Sequence, residues 1–472
     1  MKSPNHQRST CYPALLCLVA CALLQGCAGA SPNLASTTVA QAESAANKSE
    51  QTAPGWWQQL GDPQLDQLVQ NAGEQNLDLQ KAEARLAEVT AAERGTRAQL
   101  APEIGAQLSA GRQLQNKLGA PANVLSESLT GNWDMDLSGK KSAALRAAGA
   151  DRQLADASVT DARVQLIARV ITTYLDLRNA QSQAAITRQT ITNQQDNWEL
   201  TKNRYEAGLV SQLDVTQAQS QLYDTQAQLP NDLSAINAAQ YRLELLLGKE
   251  PGTLTQELAA PAPLPAAEDS NQLANLTIPS PPSLLEAKAS LVSNRPDVQA
   301  AAAAVQAALA RSDVARAAQF PDLSLSALFG LQQASPTSTA DITGNIWSFG
   351  AKLLAPLFTF GRTDAEIAAA DARTKQAELA YRQSVLTALS EVESNLSAYL
   401  QESAKRQSLI QTVAANRLNL TLAKERYEHG LVSFIEVLGA EQRLYEAQRR
   451  LTNASAQTAH NWVQVHQALG VL

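Results

Sequence analysis

The sequence predicts a mainly α-helical chain with a minority of membrane-type β-strands, built as two copies of one unit. Three observations carry this. The stretch Arg204-Tyr205-Glu206-Ala207-Gly208-Leu209-Val210-Ser211 returns as Arg426-Tyr427-Glu428-His429-Gly430-Leu431-Val432-Ser433. Each copy ends a very long run that is free of proline. Ahead of each long run lie two segments that alternate apolar with polar residues, the period of a strand.

The N-terminus carries the marks of a signal peptide, residues 1–26. Lys2 and Arg8 are basic, and the apolar run at 14–24 is too short to span a membrane. Leu24-Gln25-Gly26-Cys27 then resembles the lipobox of bacterial lipoproteins, which implies a diacylglycerol on the Cys27 sulfur and cleavage before it. The alternative is plain cleavage after Ala28-Gly29-Ala30. Lipidation is the preferred reading: Cys11, Cys17 and Cys21 leave with the signal, so Cys27 is the only cysteine of the mature chain and disulfides are excluded. No Asp follows Cys27, which implies an outer-membrane address. Residues 27–55 read as a polar, small-residue tether behind the anchor.

Ordered structure is expected from Trp56-Trp57 onward. Leu60, Leu65, Leu68 and Val69, then Leu77, Leu79, Leu86 and Val89, recur at helical spacing up to Pro102. Beyond it Ile104, Ala106, Leu108 and Ala110 share one face of a strand. A polar loop with Asn116, Gly119 and Pro121 leads to a second strand, with Leu129, Gly131, Trp133, Met135 and Leu137 against Thr130, Asn132, Asp134 and Asp136. Residues 139–207 contain no proline and would make a helix of about 100 Å. Leu166, Val170, Thr173 and Leu177 form a coiled-coil-like seam on it.

The first recurring stretch then reads as a helix-to-helix turn. Gly208 suits the left-handed position after a helix, and Ser211 with Asp214 suits a capping box. A helix returns to Gly248, completing a first repeat over residues 56–248. Residues 249–282 are a Pro-rich linker. Residues 283–472 repeat the plan: a helix to Phe320-Pro321, a strand with Leu323, Leu325, Ala327, Phe329 and Leu331 on one face, and a strand with Trp347, Phe349, Ala351 and Leu353 on one face. A second proline-free run follows, then a turn at Gly430, with Ser433 and Glu436 in the capping positions, and a return helix. An offset of 222 residues superposes Gly139 on Gly361, Gly208 on Gly430 and Gly248 on Gly470 without a gap.

Two strands per repeat cannot close a barrel, since the smallest membrane barrels need about eight. An open edge in lipid leaves backbone groups unpaired. Strands of this kind require association, and a trimer would supply about twelve, with Asn132, Asp134, Asp136, Ser324 and Ser326 facing a watery lumen. The long helices would form a second tube in line with the barrel. The net charge of −7 argues against a nucleic-acid partner. No phosphate-binding loop, zinc signature or nucleophile elbow occurs, so no enzyme, cofactor or metal is expected.

Together Trp56-Trp57 with Gly61-Asp62-Pro63, Asn294-Arg295-Pro296-Asp297-Val298, Phe320-Pro321-Asp322-Leu323, Ala355-Pro356-Leu357-Phe358 with Phe360-Gly361-Arg362, Tyr381-Arg382-Gln383 and the two Arg-Tyr turns resemble the TolC-type outer-membrane factors, in particular the OprM/NodT-like lipoproteins. The resemblance implies a homotrimeric channel-tunnel, a twelve-stranded outer-membrane barrel continuous with a periplasmic helical barrel. Its partners would be outer-membrane lipid, a periplasmic adaptor protein and an inner-membrane pump of the resistance-nodulation-division class. Such channels export drugs and other small toxic solutes.

The resemblance also implies a periplasmic gate of Asp214, Tyr427 and Glu436, with Tyr427 tied to Asp214. Capping and gating are compatible roles for the two acids. The family's further acidic position is Gly439 here and its arginine position is Val432, which leaves Glu436 as the acidic ring. Adaptor docking would fall to the tips: Gly208, Leu209, Val210 and Ser211, with Gly430, Leu431, Val432 and Ser433. Val210 and Val432 have local partners in Val215 and Val437, so Leu209 and Leu431 are the better docking candidates. Trp133, Trp347 and Phe349 suit an interfacial girdle more than a globular core.

Three rivals remain. Channels of type I protein secretion usually lack a lipobox. Copper efflux would call for methionines, and the chain has only Met1 and Met135. A lipid-anchored periplasmic coiled-coil scaffold would have no use for alternating strands.

Overall fold

Each half of the chain runs from a helical segment through a β-hairpin to a helical hairpin, because its hydrophobic period switches from helical to two and back again. The computed structural model describes residues 55–114, 121–260, 264, 294–336 and 342–470. The signal peptide with Cys27, the tether, the loop at Asn116 and Gly119 and most of the Pro-rich linker lie outside these residues.

A 3₁₀ turn at Trp56–Leu60 opens the described chain. Helix α1 (Pro63–Gln75) and helix α2 (Leu77–Ala98) follow. The sequence suggested one helical stretch here, but Asn76 divides it. Its backbone is extended, its Oδ1 caps Asp78 and Leu79, and its Nδ2 donates to the Leu246 carbonyl at 2.8 Å. Strands β1 (Glu103–Leu114) and β2 (Pro121–Met135) form the first hairpin. Pro121, expected in the loop, opens β2. Helix α3 (Lys140–Glu206) and helix α4 (Gln212–Leu246) form the first helical hairpin. The second half supplies α5 (Pro296–Ala317), β3 (Asp322–Pro336), β4 (Ile342–Leu354), α6 (Arg362–Glu428) and α7 (Phe434–Leu469).

Helices α3 and α6 have 67 residues each, a length of about 100 Å. The element bounds refine the repeat. Lys140 matches Arg362 and Glu206 matches Glu428 at an offset of 222, whereas Leu77 matches Pro296 and Ala98 matches Ala317 at 219. Met135 still matches Leu354 at 219, so the difference of three residues falls in the connections from β2 to α3 and from β4 to α6.

The four strands form one antiparallel sheet in the order β1-β2-β3-β4. The two hairpins meet along β2 and β3, and β1 and β4 are left as edges. The register puts the four apolar faces on one side. Ile104, Gly131, Ala327 and Phe349 lie at one level, and Ala106, Leu129, Phe329 and Trp347 at the next. Trp133, Leu325 and Ala351 share a third level, and Met135, Leu323 and Leu353 a fourth. The opposite side carries Asn132 with Ser326, and Asp134 with Ser324 and Lys352. Gly330 permits the close approach of β2 and β3, since a Cβ there would fall 2.1 Å from the Glu127 carbonyl oxygen. Asp136 departs from expectation. It lies beyond β2 and caps α3, accepting from the backbone N–H groups of Lys141 (2.9 Å) and Ser142 (2.8 Å). It does this because Gly139, the cap residue itself, has no side chain to offer.

The helices continue the sheet order as a layer. Helix α2 packs on α3, α3 on α5, and α5 on α6. In the lower half α4 packs on α3, and α7 lies against both α3 and α6. Helix α3 is thus central and α6 is an edge. Of their 67 residues each, 24 are buried on α3 but only 7 on α6.

The main core forms halfway along, where Leu60, Leu65 and Leu68 meet Val170, Ile171, Tyr174 and Leu177 of α3, Leu243 of α4, and Trp462 and Val463 of α7. Each such aliphatic side chain contributes about 1.5–3 kcal/mol on burial. Arg178, 2% exposed, ties this core to the chain on either side. It donates to the Ala260 carbonyl, to Gln64 and to the Tyr174 hydroxyl, which itself donates to Asp62 at 2.5 Å.

The register makes a direct prediction. Ala327→Arg puts a charge on the apolar face, at a cost of about 2–4 kcal/mol where that face meets mid-bilayer. It should deplete the protein from the membrane fraction. Ser326→Arg, on the opposite face, should not. Equal depletion of both variants would refute the assigned faces.

Candidate channel mouth at the helix tips

Both helix-to-helix turns are Schellman motifs built from the same residues. At the first, Leu209 N–H donates to the Arg204 carbonyl (2.9 Å) and Gly208 N–H to the Tyr205 carbonyl (2.8 Å). At the second, Leu431 N–H donates to Arg426 (2.9 Å) and Gly430 N–H to Tyr427 (3.0 Å). Gly208 and Gly430 have φ of 74° and 69°, the left-handed region that only glycine enters without strain.

The capping chemistry differs between the copies. Ser211 and Asp214 close a full capping box: the Ser211 hydroxyl accepts from Asp214 N–H (3.3 Å), and the Asp214 carboxylate accepts from Ser211 N–H (3.0 Å). Ser433 makes no side-chain cap bond, so the box expected there with Glu436 is not formed. The second tip is held instead by packing. Phe434, Val437 and Leu438 are buried with Ala218 of α4, Trp198 of α3 and Leu420, Ala423 and Tyr427 of α6. This cluster also joins the two tips of one chain, and the Arg204 guanidinium lies 5.0 Å from the centre of the Tyr427 ring.

The predicted gate residues gather at this end but are not bonded to one another within the chain. Tyr427 Oη is buried without a hydrogen-bond partner. Asp214 is occupied by its own cap, and Glu436 is exposed in the first turn of α7. Of the predicted docking residues, Leu209 is 74% exposed and Leu431 67%, whereas Val210 and Val432 are half-buried.

Two charged groups were not singled out from the sequence. Glu441 of α7 is 7% exposed. It accepts from Asn197 of α3 (2.5 Å) and pairs with Lys424 of α6 (3.0 Å). Further from the tips, Arg449 of α7 forks onto Asp232 of α4 at 2.9 and 3.0 Å. Thr187 of α3 donates to the same carboxylate at 2.6 Å, and the Tyr445 hydroxyl lies 3.3 Å from Thr187. Burial raises the Asp232 pKa, but the bonds from Arg449 and Thr187 outweigh this and hold it below the usual carboxylate range. The pair's stabilisation is therefore complete at neutral pH. It fades only in acid, as the pH falls below 3.8 through the lowered folded value. A sequence signal did exist: Glu441 and Arg449 fall on the stripe Phe434, Val437, Leu438 and Tyr445, where a charge implies a buried partner.

A sheet with one apolar face and two open edges, continuous with helices of about 100 Å, defines an outer-membrane channel subunit. The comparisons agree. The family model "OEP: Outer membrane efflux protein" matches residues 68–249 and 289–471. The chain belongs to this family of TolC-type efflux channels, which are transporters and not enzymes. It is 28% identical over 425 residues to Nodulation protein T of Rhizobium leguminosarum bv. trifolii, covering 89% of this chain and 88% of that protein. It is 27% identical over 425 residues to the cation efflux system protein CusC of Escherichia coli K12, covering 88% of each. Among solved structures it resembles the outer-membrane channel OprN, with a TM-score of 0.80 and 29% identity over 89% of this chain and 93% of that one.

The unequal caps are testable. Ser211→Ala should destabilise its tip by about 0.5–2 kcal/mol, and Ser433→Ala by much less. Hydrogen exchange of the amides at 212–215 and 434–437 reads this locally. Equal acceleration at both tips would contradict the asymmetry.

Proposed function

We propose that this outer-membrane efflux channel works as a lipid-anchored homotrimer in a tripartite system, passing small toxic organic solutes outward from an inner-membrane pump. The observation that carries the reading is the pair of open edges. β1 and β4 each lack a neighbour on one side. Below them the layer also ends bare. Helix α6 exposes Leu400, Leu418 and Leu422, and α4 exposes Tyr223, Leu233 and Tyr241. A second copy set edge to edge would pair β4 with β1 and cover α6 with the next helical hairpin. Three copies would close about twelve strands, within the range of membrane barrels.

The tips then form the periplasmic mouth. Glu436 supplies its acidic ring, and the unbonded Tyr427 hydroxyl is available to Asp214 when the hairpins tighten. Such a bond to a carboxylate contributes about 1.5–3 kcal/mol, small enough for adaptor binding to overcome. Exposed Leu209 and Leu431 supply the apolar contacts for that adaptor. Cys27 carries the lipid.

The cargo reading rests on the lumen face, whose residues on β2 and β3 include Thr130, Asn132, Asp134, Ser324 and Ser326. Met135 lies on the apolar face, so it is not a soft ligand for a metal route. The likeness to a cation efflux protein keeps metal ions as the second reading.

Purified protein reconstituted in planar bilayers should conduct as a trimer, and a protein that stays monomeric and silent would refute the reading. Tyr427→Phe should raise the resting conductance and the sensitivity of cells to vancomycin. Wild-type behaviour in Tyr427→Phe together with altered conductance in Glu436→Ala would move the gate to the acidic ring alone. Cys27→Ala should abolish labelling by radioactive palmitate, and a mature N-terminus at Ser31 would refute the anchor.

A further inference from the structure

The seam between the two helical hairpins changes character along its length. Near the middle of the chain it is a dry core of Val170, Tyr174, Leu177 and Val463. Next comes the cluster of Arg449, Asp232, Thr187 and Tyr445, which ties α7 to both helices of the first hairpin. Asp232 is 5% exposed and Thr187 fully buried. Thr187 and Asp232 lie 19 and 20 residues from the tip ends of α3 and α4, about 30 Å, and Arg449 and Tyr445 lie 15 and 11 residues from the tip end of α7, about 15–25 Å.

Between the cluster and the tips the seam is poorly satisfied. Gln194 of α3 is 3% exposed, and neither its amide oxygen nor its nitrogen has a hydrogen-bond partner. Trp198 Nε1, Glu441 Oε2 and Tyr427 Oη are also buried and unbonded. Above the cluster Asn179 and Gln183 each leave one oxygen unbonded and Arg178 its Nε, but the amide nitrogens are held by Asn453 and the other two guanidinium nitrogens by Ala260, Gln64 and Tyr174. A buried polar atom without a partner costs about 1–3 kcal/mol, and water removes that cost. Parting the lower seam is therefore favoured by these groups and opposed by the apolar tip cluster. Parting the upper seam would expose the main core.

A second observation falls at the same level. Helix α4 contains Pro230, two residues before Asp232. Proline inside a helix removes one backbone donor and crowds the carbonyl four residues earlier. The first hairpin thus lacks a backbone donor two residues from its buried ion pair with α7.

We propose that the Arg449–Asp232–Thr187–Tyr445 cluster is a fulcrum: the α6–α7 hairpin swings about it, parting the seam below while the seam above stays shut. This deepens the gating reading and rests on the tips being a closed mouth. Arg449 and Asp232 act as positioning residues, far from any solute at the tips.

The test uses cysteine pairs on either side of the cluster, joined by a short bis-maleimide. Below it, Gln221 of α4 donates to Gln442 of α7 at 2.7 Å; above it, Asn179 of α3 donates to Asn453 of α7 at 3.1 Å. The double variant Arg449→Gln with Asp232→Asn removes both charges, so neither is left buried alone. It should raise the resting conductance of the reconstituted trimer severalfold. Cross-linking Gln221→Cys to Gln442→Cys in that background should restore the wild-type level, and cross-linking Asn179→Cys to Asn453→Cys should not. Wild-type conductance in the double variant, or equal restoration by both cross-links, overturns the fulcrum while the channel reading stands. Silence of the wild-type trimer refutes the channel reading and this proposal with it. If the double variant fails to assemble, the cross-links are made on the otherwise wild-type chain. The lower one must then block dye efflux from cells and the upper one must spare it, and equal effects overturn the proposal.

Discussion

The structure depends on one constraint, that backbone hydrogen bonds at a sheet edge cannot be left unpaired in lipid. A chain that supplies four strands has two such edges, β1 and β4. Its helices inherit the same order, so α6 is bare where β4 is bare. Duplication alone does not relieve this: the second copy pairs with the first through β2 and β3, and the outer strands stay open. On the proposed reading, closure comes from further copies of the chain. Helix α6 shows the consequence, since it equals its repeat partner α3 in length yet buries far fewer residues.

The second theme is a change of chemistry along α3. Its buried stripe runs from Val170, Tyr174 and Leu177 through Thr187 to Gln194 and Thr201. The upper part holds the two halves together by dispersion and water exclusion, which do not weaken in steps. The lower part is held by the Arg449–Asp232 cluster and by the apolar cluster at the tips, with buried polar groups between them that water can satisfy at modest net cost. The channel we propose, sealed along most of its length and yielding at one end, would be served by that division.

The two tips share a backbone solution and differ in what holds it. Their Schellman bonds agree within a few tenths of an ångström. The first is fixed by a capping box and the second by a buried aromatic, Phe434. The first tip is therefore defined locally, whereas the second depends on Trp198 and Ala218 of the other hairpin. Docking of an adaptor at exposed Leu209 and Leu431 would act on two unequal supports.

Local chemistry determined much of this protein before any packing was known. Gly208 and Gly430, the alternation around Leu129 and Phe329, and the proline-free runs each specify their element through steric and periodic rules that act within a few residues. The duplication and the family signature were legible for the same reason. Tertiary structure decided what the sequence leaves open. Asp136, expected on the polar face of β2, caps α3 instead, because the Gly139 that permits the turn has no cap to give. Ser433 makes no side-chain cap bond, and Phe434 beside it is buried in a cluster with the other hairpin. Asp232 and Arg449 stand 217 residues apart, and no local rule pairs them. Only the fold brings them together, because a buried charge is stable only where the packed helices supply its counterpart.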